Sequence, residues 1–420
     1  MTAHDLRSAD DSADLDSLDL VAAFEKDMGS DLSDPHPVYT ELRARGEVHR
    51  GDLLTERLGL ASSTVGAYGS GQPYTILGYA AASQVMRDAQ AFSNTIYAST
   101  VGKTHGRNLL NIDDPDHRAH RSVIHKAFSR KAIERWRVEF IEPEVQRSAD
   151  RLLAAGRGDL MADFALRYPV AVIHHMLGLP PEKLRTFQNL ATGLLLYRTQ
   201  FAVAQRCSVE LAHLLQEYIT ERRAHPGDDF ISVLCHTPMD NGAYLTDEEV
   251  VSFLRILLPA GGETTARTIG SLFAYLSADP ELLARARTDE ALRRAAIEET
   301  MRIEPPTQYL YRLCVADTEV DGVTIPAGSP IAVCLASANR DERVYDDPEV
   351  FRPGRRAPHL AFGHGVHLCL GMHLARMETM IALEGLLERM PNLRRDPDAE
   401  PPRMRGIAFR SPATVPLIWN

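Results

Sequence analysis

Apolar residues recur at helical spacing over much of this chain. Residues 130 to 225 read as helix, broken at Gly156-Arg-Gly158 and at Leu179-Pro-Pro181. Within that span the apolar run from Tyr168 to Leu177 predicts a buried helix, with His174 and His175 as packing residues. Residues 181 to 225 predict two helices and their loop. Thr246-Asp-Glu-Glu249 is a capping box, and the helix it starts continues to about Ser277, the longest predicted. A further helix covers Ala291 to Arg302 and ends before Pro305-Pro306. Leu370, Leu374, Met377 and Ile381 share one face of another. Short helices are expected at Pro35 to Arg45 and Ala80 to Arg87. Strands are expected around Val48, at Tyr74 to Leu77, Tyr309 to Val315 and Ile331 to Leu335, with a hairpin turn at Asp321-Gly322. Residues 53 to 72, rich in Gly and Ser, read as a loop or insertion with no assigned role. The pattern predicts a mainly α fold with small β sheets. One domain spans 31–420, preceded by an acidic segment, 1–30, that is expected to be mobile.

Composition narrows the class. Hydrophobic content of 44% and charged content of 25% are ordinary for a soluble globular protein, and the length allows a core that can enclose a cofactor. The net charge of -11 argues against general nucleic-acid binding. No apolar run is long enough for a membrane span, and the N-terminus lacks the basic and apolar regions of a signal peptide. Cys207, Cys235, Cys314, Cys334 and Cys369 are scattered and odd in number, which fits a reducing cytoplasm.

Chemistry concentrates at His359 to Gly371, where three glycines surround Cys369. The spacing puts Cys369 where a tight loop becomes a helix N-terminus, a position that lowers a thiol pKa. Glycines let the backbone approach a large flat ligand. A buried apolar cysteine is the plainer reading of the same residue. A zinc site at His364, His367, Cys369 and His373 would normally need a second Cys or His pair at set spacing, and there is none. Elsewhere, Pro115 and Asp116 open a helix that puts His117 and Arg121 at i and i+4. The pair could clamp an anion or simply face solvent. In the middle of the long helix, Pro259, Gly261 and Gly262 disturb the backbone beside Glu263 and Thr264, as a packing kink or as a groove with an acid and a hydroxyl.

The complete pattern Phe-Gly-x-Gly-x-His-x-Cys-x-Gly from Phe362 to Gly371 resembles the haem-binding loop of the cytochrome P-450 superfamily, the haem-thiolate monooxygenases, of the soluble bacterial type. The resemblance extends over roughly 35–420, with its motifs in the family's order. It implies haem b between the long helix and the helix after Cys369, with Cys369 as axial iron ligand. Phe362, Gly363, His367, Ala260 and Gly261 would adjoin the haem. His117, Arg121 and Arg312 would hold its propionates, although Asp114 stands where the family more often has a proline. Ala260-Gly-Gly-Glu-Thr-Thr265 is similar to the oxygen-activation motif, with Glu263 and Thr264 as acid and alcohol. Pro259 is unusual there and leaves the bend open. Glu299 and Arg302 match a buried structural pair that meets a later arginine, Arg355 first and Arg356 second.

The implied reaction inserts one oxygen atom from O2 into an apolar small molecule, usually as a hydroxylation. Alternatives are an oxidase or peroxygenase that couples or desaturates, and a haem sensor without turnover. With no flavin fingerprint in the chain, electrons from NAD(P)H would arrive through a separate ferredoxin reductase and iron–sulfur ferredoxin. Arg118, Lys126, Arg130 and Lys131 form a basic cluster that could dock the ferredoxin, or a solvated helix face. Ile96, Tyr97, Leu195, Tyr309, Leu310, Ile407 and Phe409 are expected to line the substrate pocket.

Overall fold

Thr246 and Glu249 cap one another: the Thr246 hydroxyl accepts from the Glu249 N–H, and the Glu249 carboxylate accepts from the Thr246 N–H. The helix Asp247–Leu258 starts there. The structure, a computed structural model, describes residues 15, 19, 20, 22–24, 34–59 and 71–420. Pro259 has no N–H to donate, and the chain answers with one π turn, Pro259–Glu263, before the α-helix resumes over Thr264–Ala278. The single long helix expected from the pattern is therefore two α segments joined by a wider turn. Its glycines have a packing reason. A Cβ on Gly261 would lie 2.9 Å from Ile173 Cδ1, and one on Gly262 2.9 Å from Val170 Cγ2. The π turn thus presses against the helix Tyr168–Met176, which is buried as its apolar run predicts.

The strands assemble in the order Val48–Arg50, Tyr74–Ile76, Pro330–Cys334, Tyr309–Cys314, Phe92–Ser93. The second and third run parallel and the other neighbours antiparallel. Thr318–Val320 and Val323–Ile325 form the expected hairpin, with Asp321 and Gly322 both at positive φ (50° and 73°). The expected insertion at 53–72 begins with one helical turn, Leu53–Glu56, capped by Asp52. Residues 60–70 lie outside the described residues.

Helices bury most of the apolar side chains in one large core. Leu15, Leu20 and Phe24 belong to it. These described residues of the acidic segment 1–30 pack against the domain; the rest of 1–30 lies outside the described residues. Their apolar side chains are withdrawn from water by packing, which outweighs the acidic composition around them. Leu20 N–H also donates to Asn189 Oδ1.

A buried ion-pair group fixes the approach to the cysteine loop. Glu299 accepts from Arg302 Nε and Nη2, both at 2.8 Å, and from Arg355 Nε at 3.0 Å. Arg355, not Arg356, is thus the third member. Arg302 Nη1 reaches the carbonyls of Asn339 and Pro348, and Asn339 Oδ1 accepts from Leu360 N–H at 2.7 Å. Strand ends, helix and loop are tied together just before Phe362.

Candidate active site

The loop from Phe362 to Gly371 is a folded unit. Cys369 N–H donates to the Phe362 carbonyl at 2.9 Å. Gly363 and Gly365 take φ of 72° and 76°, and a Cβ on Gly365 would lie 2.5 Å from the Met86 carbonyl oxygen. Both are therefore positions that only glycine fills without strain. The Phe362 ring carries the Arg376 guanidinium 4.4 Å from its centroid, and Arg376 also pairs with Glu298 at 2.7 Å.

Gly371 caps the helix Met372–Arg389, so Cys369 precedes its N-terminus as expected. The N–H groups of Gly371 and Met372, together with Arg121 and Arg376, favour the thiolate. The expected low thiol pKa is nevertheless not what results: burial outweighs them and raises it. Cys369 itself is an exposed residue.

Three N–H donors gather beside the loop. His117 and His367 rings lie 4.1 Å apart. Burial, with His117, Arg312 and Arg121 nearby, pushes the His367 pKa down to about 3. His367 Nε2 is 4.0 Å from Asp113 Oδ1. Arg121 donates to the Leu368 carbonyl at 2.6 Å and buried Arg312 to the Tyr311 carbonyl at 2.7 Å. Neither arginine has an ion pair among the described residues. His117 Nδ1 sits 3.4 Å from Asp114, while its buried Nε2 has no hydrogen-bond partner among the described residues. Buried cations and N–H groups are normally paired. An orphaned imidazole nitrogen and two arginines without carboxylates, next to a cysteine loop, fit the two propionates and the iron of haem.

The helix that follows the π turn, Thr264–Ala278, packs against Met372–Arg389, the helix that follows the cysteine loop. Ala260 is exposed and Gly261 half-buried. Thr264 Oγ1 donates to the Ala260 carbonyl at 2.7 Å, reaching back along the helix. Glu263 points elsewhere: its Oε1 pairs with Arg267 Nη2. Adjacent helix residues face different directions, so the acid and the alcohol are separated as their spacing predicts.

The seven expected pocket residues are divided among three apolar clusters. Ile96, Tyr97, Tyr309 and Ile407 share one apolar cluster. Leu310 packs against a different one, and Leu195 and Phe409 against the main core. Tyr309 and Leu310 are strand neighbours and so face opposite ways. The Tyr309 hydroxyl is committed to Tyr39 at 2.8 Å, and the Tyr97 hydroxyl accepts from Tyr311 N–H at 2.8 Å. Phe409 lies over Arg267. Sequence reasoning missed Arg267, Ser411 and Arg376. The signal for Arg267 was a lone cation in the apolar run after Thr265, one helical turn beyond Glu263.

The family model described as Cytochrome P450 matches residues 183–412. The chain is 35% identical to the cytochrome P450 monooxygenase PikC of Streptomyces venezuelae, over 88% of this chain and 87% of that one. It is 37% identical to the erythromycin C-12 hydroxylase of Saccharopolyspora erythraea, over 75% of this chain and 81% of the relative. Among solved structures, P450BioI in complex with a hexadec-9Z-enoic acid ligated acyl carrier protein aligns with a TM-score of 0.80 and 29% identity, covering 92% of this chain and 98% of that one. CYP109E1 from Bacillus megaterium in complex with testosterone aligns at 0.77 and 30% identity, covering 92% of this chain and all of the other (100%).

Proposed function

The chain belongs to the cytochrome P450 family of monooxygenases, and from that premise we propose that it hydroxylates an apolar small molecule with electrons from a separate ferredoxin. The family's haem, once bound, supplies oxygen activation through a thiolate-ligated iron. The remaining chemistry belongs to the protein. His117, Arg121 and Arg312 would hold the two propionates, and the buried Nε2 of His117, without a hydrogen-bond partner among the described residues, is the observation that carries this reading. Cys369 would hold the haem iron, and the N–H groups of Gly371 and Met372 would steady the charge on its sulfur. Thr264 holds a proton at its hydroxyl near the Ala260 carbonyl, and Glu263 delivers protons from the solvent side.

Relatives and neighbours support the substrate class. One relative is named for erythromycin, and solved neighbours are described with testosterone and with myristic acid. Large, mainly apolar molecules are common to all three. Among the described residues no helix is long and apolar enough to cross a membrane.

A screen of macrolides, steroids and fatty acids for a shift of the Soret band, followed by product analysis with a surrogate ferredoxin system, tests the proposal. Reduced protein with carbon monoxide should show the strongly red-shifted band of thiolate ligation, and Cys369→His should lose it. An unchanged band in that variant would remove Cys369 from the role. Binding without hydroxylated product would remove the hydroxylase reading.

A further inference from the structure

Three elements meet around His105: the short helix Val101–His105, the long helix Phe201–Ala224 and the helix Asp247–Leu258. Gly106 ends the first at a φ of 77°, and a Cβ there would strike Ser252 Oγ, so only glycine turns this close to the third. The Ser208 hydroxyl donates to the Thr104 carbonyl, and Arg255 Nη2 donates to the Ser208 carbonyl at 2.6 Å. Two buried polar atoms at this junction have no hydrogen-bond partner among the described residues: His105 Nε2 and Arg255 Nε. The two side chains are neighbours. Arg255 Nη1 lies 3.9 Å from the place of a Cβ on Gly106, the residue after His105. Burial lowers the His105 pKa to about 4, and Arg255 adds to this against the Val101 hydrogen bond, so the ring is neutral near pH 7.

The two atoms make opposite demands. His105 Nδ1 lies 3.2 Å from the Val101 carbonyl and 2.9 Å from Thr104 Oγ1. A carbonyl only accepts, so Nδ1 carries the ring proton and Nε2 presents a lone pair. Arg255 Nε only donates. A hydroxyl answers both, because it donates and accepts at once. A ketone or a carboxylate satisfies Arg255 but sets its own lone pairs against Nε2, and an ether has no proton to give. We infer that His105 and Arg255 form a subsite for a hydroxyl of the substrate, remote from the carbon that is oxidised. This rests on the reading of the chain as a monooxygenase of apolar small molecules. Arg255 precedes Thr264 by nine residues on nearly continuous helix, a rise of about 13 Å. The substrate class is thus an elongated, mainly apolar alcohol. The surroundings match: the Tyr197 ring stands 6.5 Å from that of His105, at right angles, and both Tyr197 and Ile256 pack against the apolar cluster of Ile96 and Tyr309. In such company an unpaired polar group is costly, so the pair discriminates by what the ligand offers.

Probes that differ at one group test this. One set is dodecanol, dodecyl methyl ether and laurate; the other is testosterone and its methyl ether. Binding is read from the Soret shift of the haem-loaded protein and, independently, from the rise in thermal midpoint. At least one alcohol should bind on the order of tenfold more tightly than its ether, and laurate should not surpass dodecanol. His105→Phe and Arg255→Met should each weaken the alcohol until it binds like the ether. His105→Gln keeps an acceptor and Arg255→Lys keeps a donor, so both should retain part of the preference. They carry the test if the larger changes do not fold, as judged by haem content and the reduced carbon monoxide spectrum. If neither alcohol binds better than its ether, the inference is overturned and the two atoms are left to bound water. A preference that survives His105→Phe or Arg255→Met undiminished also overturns it. A preference without any hydroxylated product keeps the subsite and removes the hydroxylase reading instead.

Discussion

The imidazoles of His117 and His367 lie 4.1 Å apart and tilted by 46°, and they join a helix that opens at Asp116 to a loop more than two hundred residues later. Arg312 comes to the same point from a strand. Three elements remote in sequence thus place their N–H groups around one small region. Charge-assisted hydrogen bonds to carboxylates contribute about 1.5–3 kcal/mol each. Arg312→Leu should therefore speed haem loss by about tenfold or more, and His117→Phe by a smaller factor. Transfer of haem to apomyoglobin measures both. Rates equal to the parent's would show that neither residue holds a propionate.

Glu299 and Arg302 are both buried, at 2–3% exposure, and Arg302 has no second carboxylate among the described residues. Removing one partner of a buried pair strands the other and costs about 3–5 kcal/mol. Glu299→Ala, which strands the buried Arg302, should lower the thermal midpoint steeply and leave little folded protein. Arg355→Ala should cost less, because Arg302 and the Arg352 N–H still reach Glu299. The order of the two midpoints is the check; Arg355→Ala being the worse would reverse the assignment.

Acid should destabilise the protein through buried imidazoles. Burial lowers the pKa of His105 and His174 to about 4 each, from an ordinary 6.5. His36 is also lowered, by burial and then by Arg340, Arg410 and Arg43. Above about pH 6.5 neither folded nor unfolded chain protonates these groups, so they add no pH dependence. Below it the unfolded chain takes up protons and the folded one does not. Stability then falls, by at most about 1.4 kcal/mol per pH unit for each group, and for His105 and His174 it does so until their folded values of about 4 are reached. His174→Phe should flatten urea-midpoint curves between pH 6.5 and 4. A slope identical to the parent's would contradict the burial argument.

Of the basic cluster expected to meet a ferredoxin, Arg118 is bonded to Asp114 at 2.9 Å and Lys126 to Asp240 at 3.4 Å. Arg130 and Lys131 are exposed and have no ion pair among the described residues. Reversing Arg130 and Lys131 together should slow reduction by ferredoxin about three- to tenfold at low salt, and the gap should close as salt screens it. Reversing Arg118 should do less, since its charge is already offset. Stopped-flow reduction against salt separates these cases, and equal rates throughout would leave the cluster as a solvated face.

Much of this architecture was legible because it rests on local rules. The capping box at Thr246, the turn at Asp321-Gly322 and the glycines of the cysteine loop each carry their geometry in a few adjacent residues. The π turn was only half legible: Pro259 announces a lost hydrogen bond, but not that the helix resumes five residues on. What sequence could not show depends on tertiary packing. Phe24 lies in an acidic segment and still reaches Arg267. Tyr309 turns its hydroxyl to Tyr39. The thiol of Cys369 sits at a helix start that should lower its pKa, yet enclosure by surrounding protein decides the sign.

Thr264 provides the sharpest test of oxygen activation. Its hydroxyl donates to the Ala260 carbonyl at 2.7 Å, within a π turn whose helical hydrogen bonding is already altered by Pro259. It is half-buried, so water can share the site. A hydroxyl both donates and accepts, so it can hold a water in place and pass its proton on. Thr264→Ala removes this without touching Cys369 or the donors around His117. Haem binding, reduction and oxygen consumption should persist. Protons should then arrive without direction, so that hydrogen peroxide replaces product and coupling falls on the order of tenfold. Thr264→Ser, which keeps the hydroxyl, should restore most of it. The measurement is the ratio of product to NAD(P)H consumed, with peroxide quantified in parallel. Full coupling in Thr264→Ala would move control of the proton to another group, with the neighbouring Thr265 hydroxyl as the first to examine.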